Sequence, residues 1–292
     1  MQNANEIKHH IGAVEQTRKI TNAMDLISSA RMKKVMRHIE YNKIYFSRVQ
    51  SAMKDILMSP HPVDHPYLRK RPNGKKLYIV VSGDKGMAGS YNSEILEFAY
   101  EEIKKQTDYS IITIGLTAGE FFRSKGIPIA KEIFGMSQDP SLFNARKTAY
   151  NIIDKYGMQE TDEVFIIFTS FDSRMVCTPC MRRLLPIRIS DFKNIELTEP
   201  EHEILYVPSA EEVFGLLIPQ YLVGIIFGAL VQAYAGEHYS RMVAMQSATR
   251  NADDLLKKLK LEYNMARQAS ITREIAEITG AAAVLNGGSQ NA

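Results

Sequence analysis

Three glycines in this chain have a spacing that phosphate chemistry could use. Gly83, Gly86 and Gly89 occur in the run VSGDKGMAGSYN, between a predicted strand and a predicted helix. Loops in that position can present backbone N–H groups to a phosphate, but this spacing is neither GxGxxG nor a loop that ends in GK[ST]. Glycines also serve tight turns. We therefore expect a turn packed against the sheet, with no bound nucleotide.

The second candidate for chemistry is the pair Cys177 and Cys180, the only cysteines in the chain. Their spacing is that of thioredoxin-type redox motifs, but the order of predicted strands and helices around them differs. Two cysteines cannot make a disulfide framework, and a zinc site would need further ligands. Two reduced structural thiols are the favoured interpretation, and a redox-active dithiol is the alternative. We predict no catalytic, cofactor-binding or metal-binding residue in the chain.

The composition narrows the function classes. The 292 residues contain 36 basic and 33 acidic side chains, so the formal charge is only +3, and 45% of the residues are hydrophobic. This balance does not indicate a nucleic-acid-binding protein. The first residues, MQNANEIKHH, lack the features of a secretory signal or a transit peptide. We expect a globular protein in a bacterial-type cytoplasm.

The N-terminal segment predicts one long helix. From about Asn5 to Met58 there is no proline, and Gly12 is the only glycine. Apolar residues recur at three- and four-residue steps, as in a coiled-coil seam. They are Ile7, Ile11, Val14, Met32, Val35, Ile39, Phe46, Val49, Met53 and Ile56. The prolines that follow, Pro60, Pro62, Pro66 and Pro72, predict a linker.

The middle of the chain predicts a small α/β domain. Short apolar runs at 77–82, 110–115 and 164–170 are typical of buried strands. Amphipathic stretches at 91–105, 117–124 and 142–156 lie between them and are expected to be helices. This alternation favours a parallel, Rossmann-like sheet.

The C-terminal segment, from about Ala210, predicts a second long helix. After Pro219 there is no further proline, and 213–236 carries no charge. That stretch is long enough to span a bilayer, but the glycines and glutamines within it favour burial in protein. The expected apolar stripe is Met242, Met245, Ala252, Leu255, Leu259, Tyr263 and Ala266, followed one residue out of phase by Ile271, Ile275, Ile278, Ala282 and Leu285.

The fold class expected from these segments is α/β plus long helices. Two long helices at the ends of one chain, each with one apolar stripe, are best buried against each other as an antiparallel coiled coil. The expected domains are residues 1–59, the linker and α/β domain at 60–209, and residues 210–292. The C-terminal helix is the longer of the two, so its last turns should extend beyond its partner.

Several runs in the chain resemble one family. They are RMVAM at 241–245, ATRNA at 248–252, YNMARQASITRE at 263–274, TRKITNAMDLISSARM at 17–32 and VSGDKGMAGSYN at 81–92. In this order and spacing they are similar to the gamma subunit of F-type ATP synthases. One departure is that only Ile278 and Thr279 separate Glu277 from Gly280, one residue fewer than is usual in the family.

The resemblance implies a central rotor shaft without an active site of its own. The expected partners are the alpha and beta subunits of the catalytic hexamer, the epsilon subunit and the membrane c-ring, with one copy of this chain per complex and no nucleic acid. The expected location is peripheral, on the cytoplasmic face of a bacterial cell membrane. The implied process is ATP synthesis or hydrolysis coupled to proton or sodium transport.

The resemblance also implies a set of subunit-contact residues. They are Met24, Arg241, Arg267, Gln268, Thr272 and Glu274. Four basic residues of the first helix, Arg18, Lys19, Arg31 and Lys33, are candidates for contact with acidic loops of the beta subunits. Packing within the coiled coil, or simple solvation, is the alternative for all of these residues.

Two other functions remain open from the residues alone. The α/β segment could belong to a dinucleotide-binding enzyme, but the acidic residue expected after its second strand and a catalytic cluster are not apparent. Residues 213–236 could anchor a membrane scaffold. Solubility of the purified chain without detergent would argue against the second.

Overall fold

The computed structural model describes residues 4–59, 63–71, 74–172, 174–193, 195 and 205–288, with residues 38–43 and 281–288 described by their backbone alone. Its elements are α1 (Ala4–Met58), β1 (Lys76–Val81), α2 (Tyr91–Ile103), β2 (Tyr109–Ile114), α3 (Leu116–Ser124), β3 (Lys131–Ile133), α4 (Leu142–Gly157), β4 (Glu163–Phe171), β5 (Cys177–Leu185), a 3₁₀ turn (Ile189–Phe192) and α5 (Ala210–Gly288). Both predicted long helices are confirmed. Pro219 lies inside α5, whereas Pro60, Pro62 and Pro72 of the predicted linker lie outside the described residues.

The chain forms two compact units. The sheet unit comprises Ser28–Met242, and the terminal unit comprises the residues up to Ile27 together with those from Val243 onward. Helices α1 and α5 each contribute residues to both units. The three-domain division at 59 and 209 describes the order of elements and remains a prediction.

The sheet has five strands in the order β3-β2-β1-β4-β5. Strands β1 to β4 are parallel, and the three strands expected from apolar runs are among them. β5 pairs with β4 in the antiparallel direction, so the sheet is mixed and the expectation of a wholly parallel sheet is wrong. β5 was missed because it is an edge strand that contains Pro179, Arg182 and Arg183 in place of an apolar run.

Helices cover both faces of the sheet. On one face α2 and α3 pack against β1 and β2, with Ile95 and Phe122 fully buried against Tyr78 and Val80. On the other face α1, α4 and α5 form the larger core, which includes Met53, Ile152 and Phe214. The strands are therefore buried on both sides, which explains their continuous apolar sequence.

The terminal unit is an antiparallel pair of helices. Ile7 and Val14 of α1 are buried with Ala252, Leu256 and Leu259 of α5. The predicted stripe named Leu255 in place of Leu256, and this is wrong: Leu255 is 39% exposed and Leu256 only 5%. Residues 255 and 256 both lie three or four positions from Ala252 and Leu259, so the spacing fits either leucine, and packing against α1 selects Leu256.

The last described side chains of α5 are not buried by any other described part of the chain. Every residue from Arg267 to Gly280 is exposed. Ile271, Ile275 and Ile278 of the predicted second stripe are 44%, 58% and 70% exposed. Ala282 and Leu285, predicted to continue it, lie outside the described side chains. The predicted extension of α5 beyond its partner is confirmed as far as Gly280.

One helix, at Ala210–Gly280, is long and apolar enough to cross a bilayer by length and composition. Just over half of its most apolar window is buried inside the protein. A core helix of a globular protein passes the same length and composition test, so this feature alone is weak evidence for a membrane span.

Gly115 and Gly228 allow a matched test of which backbone positions require glycine. A Cβ at Gly115 would lie 2.3 Å from the Ser82 carbonyl oxygen, and the φ of Gly115 is +103°, whereas a Cβ at Gly228 meets nothing within 4 Å. We expect Gly115→Ala to destabilise the sheet unit by about 3 kcal/mol or more. Gly228→Ala, in a helix, should be neutral or stabilising by up to about 1 kcal/mol. Urea unfolding followed by circular dichroism measures both; equal midpoints would contradict the assigned constraint.

Candidate functional site

The carboxyl edge of β1 and β4 is where a fold of this topology would hold a ligand. The chain runs from β1 outward to β2 and β3, then crosses to β4 on the other side of β1. In open α/β sheets the crevice at such a reversal point is the usual nucleotide-binding position. The glycine-containing loop 82–90 follows β1 at this point.

The first polar groups of this loop are bound within the sheet unit. The Gly83 N–H donates to Asn92 Oδ1 at 2.9 Å, and Thr117 Oγ1 donates to the Gly83 carbonyl at 2.6 Å. The Asp84 carboxylate accepts from the Leu116 N–H at 2.8 Å and from Ser137 Oγ at 2.5 Å. The loop is therefore a fixed turn that ties β1 to α2 and α3, in agreement with the interpretation of its glycines as a packed turn.

Helix α5 fills the crevice with a buried ion pair. Arg241 Nη2 donates to Glu237 Oε1 at 2.6 Å and to the Lys85 and Gly86 carbonyls at 3.2 Å each. Both side chains of the pair are less than 10% exposed. A Cβ at Gly83 would lie 2.9 Å from Glu237 Cδ, so only glycine leaves room for the carboxylate.

Two further contacts hold α5 against the sheet. Tyr91 Oη donates to the Ala233 carbonyl at 2.8 Å, and burial raises the pKa of the Tyr91 hydroxyl, so it remains a donor. A Cβ at Gly236 would be only 3.3 Å from Cys177 Sγ. We call Gly83, Tyr91, Gly236, Glu237 and Arg241 the clasp.

The electrostatics of the clasp oppose a phosphate ligand. Burial raises the pKa of Glu237, and the neighbouring Arg241 guanidinium partly offsets that rise. The loop turns carbonyl oxygens toward Arg241, and the carboxylates of Asp84 and Glu237 lie at the same edge. A phosphate here would meet these acceptors and negative charges, which oppose its binding.

His238 lies beside the clasp and is neutral at ordinary pH. Its ring meets Tyr234 at 4.4 Å between centroids, and Arg241 Nη1 is 3.5 Å from His238 Nδ1. Burial, with the charges of Arg241, Arg31 and Lys85, lowers the pKa of His238 to about 4.

The two cysteines lie on the edge strand β5 and are free thiols. Cys177 Sγ is 3.7 Å from the Gly236 carbonyl and from Ser240 Oγ. Burial raises the pKa of both thiols. Residues three apart on an extended strand have Cα atoms about 10 Å apart, beyond the Cα separation of a disulfide. A bond between them would require β5 to leave the sheet; the redox alternative remains a prediction.

In the terminal unit the seam between the helices is polar over several turns. Thr21 Oγ1 meets Thr249 Oγ1 at 2.7 Å, and Arg18 Nη1 meets Asp253 Oδ1 at 3.1 Å. Gln246 Nε2 donates to Asp25 Oδ1 at 3.3 Å. We call these three contacts the polar ladder. Arg18, a predicted electrostatic contact, thus already has an acidic partner within the chain.

The structure places the predicted subunit-contact residues in three settings. Arg241 is buried in the clasp, and Met24 is half-buried on α1. Arg267, Gln268, Thr272 and Glu274 are all exposed on the unpaired part of α5, where Thr272 Oγ1 donates to the Gln268 carbonyl at 2.9 Å. Lys19, Arg31 and Lys33 are exposed. Their contacts with other subunits remain predictions.

Sequence reasoning missed Glu237 and Tyr91. One signal for Glu237 was available, since it is the first charge after the uncharged stretch 213–236 and stands four residues before Arg241. Within the described residues there is no group of three or more His, Cys, Asp or Glu side chains that could hold a metal ion.

Comparison with known proteins decides the family. The ATP synthase family model matches residues 3–285. The ATP synthase gamma chain of Ruminiclostridium cellulolyticum is 40% identical over 97% of this chain and 99% of its own length. This chain belongs to the ATP synthase gamma chain family. The gamma chain of Acetivibrio thermocellus is 37% identical over 98% of this chain and the whole of its own length.

A solved structure shows the same fold at low identity. A chain of the Euglena gracilis mitochondrial ATP synthase, in an OSCP/F1/c-ring structure, matches with a TM-score of 0.68 and 14% identity. The match covers 99% of this gamma chain and 96% of that one. The long helices with an inserted α/β domain, as expected from the sequence, are therefore confirmed as the fold of this gamma chain.

The clasp can be tested by breaking and then replacing its ion pair. Arg241→Met leaves the Glu237 carboxylate buried and unpaired, which should destabilise the sheet unit by about 3–5 kcal/mol. Adding Glu237→Gln should recover part of this loss. Lys104→Met, which breaks a surface pair with Glu101 whose two side chains are 47% and 52% exposed, is the control and should cost under about 1 kcal/mol. Urea midpoints for Arg241→Met no lower than for Lys104→Met would contradict this assignment.

The lowered pKa of His238 predicts that the free energy of unfolding of the chain falls in acid. Its pKa in the folded chain, about 4, lies below the ordinary value of 6.5, so the neutral form is favoured by folding. Above pH 6.5 the imidazole is neutral in both states, and the folded chain keeps its full stability. As the pH falls toward 4 the unfolded chain binds the proton first, and the free energy of unfolding falls by at most about 3 kcal/mol. His238→Leu should flatten the pH dependence of the unfolding midpoint between pH 6.5 and 4. The exposed His9→Gln should leave it unchanged; equal profiles for both variants would exclude His238 as the cause.

Proposed function

We propose that this gamma chain is the non-catalytic central rotor shaft of an F-type ATP synthase. In this role it couples rotation of a membrane ring, driven by protons or sodium ions, to ATP synthesis or hydrolysis in a hexamer of alpha and beta subunits. One copy acts in each complex, at the cytoplasmic face of a bacterial membrane, and it also contacts an epsilon subunit.

The observation that carries the proposal is the exposed part of α5. From Arg267 to Gly280 no side chain is buried, although Ile271, Ile275 and Ile278 are apolar. A helical segment of this length is marginal in water unless another surface packs against it. A ring of subunits around the helix would supply that surface without requiring a single fixed contact.

The clasp supports a role without catalysis. The crevice in which related topologies hold nucleotides is occupied by Glu237 and Arg241 of α5 itself. Opening it would break a buried ion pair and expose an unpaired charge. A nucleotide would therefore have to displace part of the core, so ATP chemistry is assigned to the partner subunits.

In this proposal, rotation is coupled to the partner conformations because the shaft contacts each partner through different residues. A shaft without threefold symmetry meets each of three identical partners with different residues at any angle, so each rotor position stabilises a different set of partner conformations. Arg267, Gln268, Thr272 and Glu274 would provide such contacts on α5, and Met24, Lys19 and the sheet-unit residues Arg31 and Lys33 would provide them on α1. Arg241 would act indirectly by holding the loop after β1.

The α/β domain at residues 60–209 would serve as the attachment point for the membrane ring and the epsilon subunit, and the segments 1–59 and 210–292 would form the shaft. Cys177 and Cys180 would remain reduced in this role, because a bond between them requires part of the sheet to open.

The test compares two changes in reconstituted complexes. Gln268→Leu with Thr272→Val keeps the helix but removes polar groups assigned to a beta-subunit contact, at a cost of about 1–3 kcal/mol for each partner group left unpaired. Assembly should survive while ion pumping per ATP hydrolysed falls. Deletion of Ala282–Ala292, whose side chains lie outside the described residues, should also permit assembly and reduce activity only in part.

Glu262→Gln, an exposed change in the paired region of the same helix, is the control and should leave coupling unchanged. If the deletion abolishes assembly and the double substitution alters neither hydrolysis nor pumping, then the shaft model is wrong for this end of the chain.

A further inference from the structure

A groove runs along α4 on one face of the sheet, at the outer strands. Glu132 of β3 lies against Gly119 and binds Arg123, both on α3. Since side chains alternate along a strand, Lys131 and Ile133 point to the opposite face, where α4 lies. β3 is only three residues long, so α4 and the sheet edge do not close over this space.

The groove has an apolar floor and one polar wall. Its main cavity is about 390 Å³, with Ile112, Ile133 and Met136 among its lining residues. The wall is a single stripe of α4, namely Asn144, Lys147, Thr148 and Asn151. A second hollow of about 200 Å³ continues past Ile112, Lys131 and Asn151 toward Lys155. The volume of the main cavity is within the range of small-molecule sites.

The groove contains two cations without partners. In the described part of the chain neither Lys131 nor Lys147 forms an ion pair, whereas Lys155 is bound to Glu160. Glu132 also lines the main cavity, and its charge is paired with Arg123. The Thr148 hydroxyl donates to the Asn144 carbonyl and is thereby occupied. Phe134, at the lip of the groove, is 60% exposed.

We propose that the α4 groove binds an amphiphilic anion, a small molecule with an aromatic or aliphatic body and one acidic head group. The body would cover the apolar floor and Phe134, and the head would lie between Lys131 and Lys147. Burial of the body supplies most of the affinity, and the two ammonium groups select a negative head. The groove is separate from the clasp and from the exposed helix, and its assignment does not depend on the rotor role.

Two dyes with the same aromatic body separate these contributions. The purified full chain is titrated with 8-anilinonaphthalene-1-sulfonate and with N-phenyl-1-naphthylamine, which lacks the sulfonate. In the double variant Lys131→Gln with Lys147→Gln we expect the Kd of the sulfonate to rise about tenfold. The Kd of the neutral dye should change less than about twofold. Dye bound elsewhere on the chain appears as a component common to all variants.

The matched control is Lys257→Gln with Lys258→Gln, which removes the same charge from exposed positions on α5. It should leave both dyes unchanged, apart from the weak effect of net charge. Asn151→Phe fills the groove and should weaken both dyes together. Circular dichroism establishes that each variant is folded.

Three results would overturn the proposal. They are no saturable binding of the sulfonate dye, the same loss in the Lys257/Lys258 control as in the Lys131/Lys147 variant, and unchanged binding of both dyes in Asn151→Phe. The expected pattern is loss of the anionic dye alone in the Lys131/Lys147 variant together with loss of both dyes in Asn151→Phe.

Discussion

The buried pair of Glu237 and Arg241 is the interaction on which the sheet unit depends. It joins a helix to a loop about 150 residues earlier in the chain, and it does so at the point where the sheet changes direction. Removing two charges from water is costly, and the pair is tolerated because carbonyl oxygens of the loop complete the hydrogen bonding of the guanidinium. A Cβ at Gly83 would approach Glu237 of this pair, and one at Gly236 would approach Cys177 on the sheet, so small residues at both positions let α5 lie close to the sheet.

The same interaction explains why the crevice that this topology forms at the carboxyl edge of the sheet is filled. The loop after β1, the helix that follows it and the strand reversal are all present, yet the space they enclose is filled by the chain's own side chains. Within the sheet unit, the loop after β1 therefore holds α5 through Glu237 and Arg241.

The sequence predicted the parts of this structure that depend on local pattern. Strands β1, β2 and β4 are buried on both faces and appear as continuous apolar runs. Both long helices follow from the spacing of apolar residues and from the absence of proline in α1 and, after Pro219, in α5. β5 could not be recognised, because an edge strand need not alternate and this one has Arg182 and Arg183 at its centre. The choice of Leu255 over Leu256 failed because adjacent leucines leave the phase of a stripe undetermined until a partner helix fixes it.

The clasp was beyond sequence reasoning for a different reason. Arg241 was recognised through its family motif, but the motif carries no information on which groups it binds. Its partners include the carbonyl oxygens of Lys85 and Gly86. Every residue has a backbone carbonyl, so residue types cannot show which ones Arg241 binds. The α4 groove could not be predicted from the sequence either. Lys131 and Lys147 line one cavity only because the short strand β3 lies beside α4.

The polar ladder has a mechanical consequence for the terminal unit. A seam of leucines alone can shift lengthwise by a turn and still bury apolar surface, because one leucine replaces another. A shift of one turn, about 5.4 Å, would separate Thr21 from Thr249 and Arg18 from Asp253, leaving the buried Thr21 hydroxyl without its partner and breaking a half-exposed ion pair. Hydrogen bonding therefore sets the axial alignment of the two helices, and resistance to sliding under load comes from groups that contribute little to hydrophobic stability.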